Sequence, residues 1–109
     1  MKTLKNHLMY TVNDGINFAR TSKGAELVDI RPKDIYKKGH VAGSVNIPMD
    51  NPEVIKLRIR DVETPLYIYG DFNHNPRKAA KLFKKMGYKN ITLCGYIEEH
   101  VGNSMLKKK

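Results

Sequence analysis

"PLYIYGDFNHNPRKAAKLFKKMG", residues 65 to 87, decides how the chain is organised. Leu66 to Tyr69 form an apolar run of β-forming residues that reads as the clearest strand in the chain. Eight residues of loop character follow, from Gly70 to Arg77, and a helix begins near Pro76, a residue suited to the first helical turn. Ala79, Leu82, Phe83 and Met86 recur at helical spacing and Gly87 closes the helix.

The same alternation extends in both directions. "AELVDI" (25 to 30) reads as a strand, "RPKDIYKKG" (31 to 39) as a short helix between Pro32 and Gly39, and "GSVNIP" (43 to 48) as a second short strand. "NPEVIKLRIRD" (51 to 61) offers Asn51 as an N-cap with Pro52 at the first helical position. "YKNITLCG" (88 to 95) is a last strand, with a short helix around "YIEEHVG" (96 to 102). Upstream, "TVNDGINFARTSKG" (11 to 24) reads as a helix with Ile16, Phe18 and Ala19 turned inward. Helices interleaved with short, nearly all-apolar strands predict an α/β fold: a mainly parallel central sheet of 4–5 short strands with helices on both faces.

At 109 residues the chain is sized for a single domain, assigned to residues 1–106, with 107–109 as a basic C-terminal tail expected to be solvated. Twenty Lys and Arg against 11 acids give a net charge of +9, and 40% hydrophobic content places the chain among globular proteins. Lys78, Lys81, Lys84 and Lys85 lie opposite the apolar stripe of their helix, where a solvated face belongs. The single cysteine, Cys94, rules out an internal disulfide or a multi-cysteine zinc site and fits a reducing compartment. No secretory leader or membrane-spanning stretch is legible, so a cytoplasmic protein without membrane partners is expected. No pattern calls for a metal or another cofactor.

Ligands of open α/β sheets bind outside the carboxyl ends of the strands. The loop Gly70, Asp71, Phe72, Asn73, His74, Asn75, Pro76, Arg77 lies at such an end. Curled into a cup at the start of a helix, its N–H groups would converge on a small anion such as a sulfur oxyanion, sulfate or phosphate.

"LVDIRPKDIYKKGHVAGSVNIP", residues 27 to 48, resembles the first signature of the single-domain rhodaneses, or rhodanese-like sulfurtransferases. The shared features are Asp29 and Arg31, the Gly39-His40 pair, Gly43, and the closing Asn46-Ile47-Pro48. "PLYIYG" and "RKAAKLFKKMGYKNITLCGYIEEH" resemble the second half, so the likeness runs from residue 27 to residue 100. It implies a rhodanese-like fold and an architectural role for Asp29, Arg31, His40 and Gly43. Counting back from Ala79 and Ala80 puts Gly70 where the family carries its catalytic cysteine. Asn73 stands for the loop glycine and Asn75 for the loop arginine. Sulfur transfer in the family runs through a persulfide on that cysteine, and glycine has no side chain to carry it.

The reading favoured is therefore a rhodanese-like domain inactive as a sulfurtransferase, acting as a binding or regulatory module. Its loop would cradle an anion or present Phe72, His74 and Arg77 to a protein partner. One rival keeps sulfur transfer, or another anion-directed reaction, on Cys94, near the carboxyl end of the last strand. A second writes Asp71 as a phosphoryl-accepting nucleophile with Arg77 behind it, without the metal-binding aspartates such chemistry needs. The third, nucleic-acid binding, lacks aromatic platforms and a basic recognition helix.

Overall fold

The computed structural model describes residues 9–101 and the backbone of residues 105–107. In chain order the elements are α1 (Val12–Thr21), β1 (Glu26–Asp29), α2 (Lys33–Lys38), β2 (Gly39–Val41) and β3 (Val45–Asn46). A single 3-10 turn (Pro52–Val54) leads into α3 (Ile55–Arg58), followed by β4 (Leu66–Gly70), α4 (Pro76–Lys85), β5 (Ile91–Tyr96), a 3-10 turn (Ile97–Glu99) and β6 (Met105–Lys107). Four strands form one sheet in the order β3-β1-β4-β5, and every neighbouring pair is parallel.

Both faces of that sheet are covered, as its apolar strands require. Successive side chains point to opposite faces. Leu27, Tyr69 and Cys94 meet Val12, Ile16 and Ala19 of α1 on one side, while Val28, Ile30 and Ile68 meet Ile55, Ala79 and Phe83 of α3 and α4 on the other. Tyr88 locks the second layer by donating its hydroxyl to the Ile59 carbonyl.

Several expectations need correction. Phe18 is 43% exposed and packs edge-on against Tyr10. It stands two residues from Ile16, about 200° around a helix, so both cannot face the sheet. Asn51 makes no side-chain cap, and the segment after it tightens into a 3-10 turn before the one-turn α3. Of the helix predicted around residues 96 to 102, the described residues 96–101 form only the turn Ile97–Glu99. Strands β2 and β6 pair antiparallel in a second, two-stranded sheet, with Gly39 opposite Lys107. The backbone of Lys107 thus belongs to a paired strand, and Lys108 and Lys109 lie outside the described residues, as do residues 1–8 and 102–104. No helix among the described residues is long and apolar enough to cross a membrane.

This order also places the site. From β1 the chain moves to β3 on one side, then crosses to β4 on the other, so the carboxyl ends of β1 and β4 flank the point where the winding reverses. The segments leaving those two ends begin at Ile30 and Asp71.

Candidate functional site

At the end of β1, the register Asp29↔Tyr69 sets a carboxylate beside a phenol across neighbouring strands. Both are fully buried, and Arg31 is nearly so. The Arg31 guanidinium donates to both Asp29 oxygens, at 3.0 Å from Nε to Oδ1 and 2.7 Å from Nη2 to Oδ2. The Tyr69 hydroxyl donates to Oδ2 at 2.6 Å and accepts the Val41 N–H at 3.1 Å. Arg31 also reaches the Gly39 carbonyl at 2.7 Å, and the Asn46 amide donates to the Asp29 and Arg31 carbonyls.

Every charge in this cluster has a partner, which is what a buried ion pair needs to be tolerated. Burial alone pulls the Arg31 guanidinium down, but the hydrogen bonds and charge of Asp29 outweigh it and the net shift is upward. Burial pushes the Tyr69 phenol up, reinforced by the Asp29 charge, so Tyr69 stays a neutral donor. His40 sits at the edge of this cluster, stacked on Tyr36 with ring centroids 3.8 Å apart and its Nδ1 2.8 Å from the Tyr36 carbonyl oxygen. Gly43 takes φ +85°, the left-handed turn that leads into β3. Gly39, by contrast, has φ 166°, an extended conformation open to any residue.

At the end of β4 the loop is a closed turn. Asp71 and His74 bridge each other through both backbone pairs, at 3.1 and 3.0 Å. The Asp71 carboxylate accepts the Asn73 N–H at 3.0 Å and His74 Nδ1 at 2.7 Å. Glu98 accepts the Phe72 N–H at 3.0 Å on each oxygen. Asn75 caps α4 through the Arg77 N–H at 2.8 Å. The amides of residues 71 to 74 are thus all engaged by acceptors of this same chain, two of them carboxylates, instead of converging on open space. That corrects the expectation of an open cup, because an incoming anion would have to displace Asp71 or Glu98.

Gly70 explains how the turn closes. A Cβ added there would lie 2.0 Å from the His74 carbonyl oxygen and 3.1 Å from Ile30 Cδ1. The place a side chain would need is filled by backbone. Above the turn, Phe72 is 62% exposed and tilts against Tyr96 at 5.3 Å. Tyr96 is aimed there by an irregularity: Ile68 pairs with Leu93 but Gly70 pairs with Tyr96, so β5 carries one extra residue.

Cys94 does not join this site. It is fully buried beneath α1, so close that a Cβ on Gly15 would lie 2.3 Å from its sulfur. Burial pushes its thiol up to about 12, leaving it protonated and inert near neutrality. Asp71, the other substitute nucleophile, is 8% exposed with its Oδ1 already holding two donors. Tyr69, Tyr96 and Glu98 were missed as site residues. All three sit in stretches that carry the family resemblance, but the apolar run of Tyr69 reads as core until the strand register is known, and no spacing along the chain points Tyr96 or Glu98 at the loop.

The chain matches the family model of the rhodanese-like domain over residues 16–94. It is 31% identical over 85 residues to the uncharacterized protein YqhL of Bacillus subtilis, covering 77% of this chain and 67% of that protein. It is 32% identical over 69 residues to the thiosulfate sulfurtransferase GlpE of Pseudomonas paraeruginosa, covering 62% of this chain and 61% of that one. Among solved structures it superposes on the rhodanese-like domain of the Alr3790 protein of Anabaena with a TM-score of 0.76 at 16% identity, over 91% of this chain and 78% of that one.

Proposed function

This chain belongs to the rhodanese-like domain family, and we propose that within it the protein is a binding or regulatory module that does not transfer sulfur. The observation that carries this reading is the closed turn at Gly70, where the His74 carbonyl occupies the space a cysteine side chain would need. A persulfide carrier requires a reactive thiolate at that point, and the chain's one thiol is sealed under α1. What the site offers instead is a rigid turn with Phe72 at its tip, backed by Tyr96 and tied to Glu98. An exposed aromatic braced from behind suits contact with a protein partner, since little side-chain freedom remains to be lost on docking.

The test is a thiosulfate:cyanide sulfurtransferase assay on the parent and on Cys94→Ser, together with thiol labelling of the native protein. Both proteins should form no thiocyanate above the uncatalysed blank. Cys94 should resist labelling until denaturant is added. Turnover in the parent that disappears in Cys94→Ser would overturn the reading and relocate the nucleophile.

A further inference from the structure

Helix α4 divides into two faces. Ala79 and Phe83 are fully buried against the sheet, while Lys78, Lys81, Lys84 and Lys85 are exposed. At 100° per residue those four lysines occupy one continuous sector of about 120°, centred opposite Ala79 and Phe83. Residues 76 to 89 contain no Asp or Glu, so the face has no internal counter-charge. Among the described residues the salt bridges are Arg31 to Asp29, His74 to Asp71 and Lys89 to Glu63, and none reaches these four lysines. Lys81 stands three residues from Lys78 and Lys84 and four from Lys85, spacings at which like charges destabilise a helix. The helix dipole favours Lys84 and Lys85 in the last turn but opposes Lys78 in the first, so it does not account for the whole row.

We propose that this face of α4 is a docking surface for an acidic protein segment, whose carboxylates would complement the unpaired lysine row. Protein is favoured over nucleic acid as the occupant, because carboxylates at i, i+3 and i+4 of a helical segment repeat at the spacing of these lysines. The helix itself also lacks an exposed aromatic on which bases would stack, because its phenylalanine, Phe83, is buried. The inference rests on reading the protein as a binding module but uses a surface other than the Gly70 turn.

The test is binding of the full chain to a synthetic helical peptide with glutamates at i, i+3, i+4 and i+7, followed by fluorescence anisotropy at low salt. Lys81→Glu/Lys85→Glu should weaken binding about tenfold or more and leave the fold intact, because both residues are exposed and the changes relieve repulsion. Lys23→Glu/Lys33→Glu, which changes the net charge equally at exposed positions away from α4, should leave affinity within about twofold. Equal loss in both variants would overturn the proposal, since it would show attraction to net charge alone. So would absence of peptide binding, or tighter α4-dependent binding of a DNA duplex tested in parallel. A thiosulfate assay that stays silent while the peptide fails would sink this surface without touching the reading beneath it.

Discussion

Asp29→Ala is expected to lower the unfolding free energy by about 3–5 kcal/mol, because it removes one partner of a buried ion pair and leaves the other charged. The carboxylate accepts from the Arg31 side chain, the Arg31 backbone N–H and the Tyr69 hydroxyl. Without it, a nearly buried guanidinium retains only the Gly39 carbonyl as an acceptor among its side-chain hydrogen bonds. For a domain whose stability falls in the usual range of about 5–15 kcal/mol, that is a large fraction of the total. Tyr69→Phe should be milder, at about 1.5–3 kcal/mol, the scale of one hydrogen bond to a charged group. The double variant should lose less than the sum, since each single change already breaks the Tyr69 to Asp29 bond. Urea denaturation of the four proteins gives the cycle directly. A loss below about 1 kcal/mol in Asp29→Ala would mean that water reaches Arg31 and replaces the carboxylate.

Gly70→Cys should restore the family's nucleophile in name and fail in fact. Its Cβ would lie 2.0 Å from a backbone oxygen, and no rotamer moves a Cβ, so the turn must open. Opening breaks both Asp71 to His74 backbone bonds and disturbs the Asp71 to His74 side-chain pair. At about 1 kcal/mol for each hydrogen bond lost, the expected destabilisation is about 2–3 kcal/mol. Gly70→Ala meets the same clash without a thiol and should be destabilised equally, which separates sterics from chemistry. Amide exchange at Asp71 and His74 should accelerate in both variants, and Gly70→Cys should form no thiocyanate. A Gly70→Cys protein as stable as the parent and active with thiosulfate would show that the turn opens at little cost.

Much of the scaffold was legible because it depends on local rules. The run from Leu66 to Tyr69 is apolar over too short a span for a helix, and α4 declares itself through the placement of Ala79, Phe83 and Pro76. Those features need only backbone propensity and hydrophobic period. Phe18 was misread because its apolar character was followed in place of the helical period, which already sets it about 200° from Ile16. The pairing of β2 with β6 was invisible for a different reason. It joins segments more than 60 residues apart, between short strands with no strong pattern of their own.

The site divides along the same line. The amino-acid sequence by itself determined the α/β alternation, the resemblance to rhodanese-like domains and the absence of a thiol at residue 70, since each depends on which residue stands at which position. Only the tertiary structure decided that Asp29 shares its charge with Tyr69, 40 residues away. It alone decided that Glu98 holds the Phe72 amide and that the His74 carbonyl fills the space above Gly70. Hydrogen bonds are directional and extend about 3 Å. Their partners are therefore chosen by the register of strands and the path of a turn, which no spacing along the chain records.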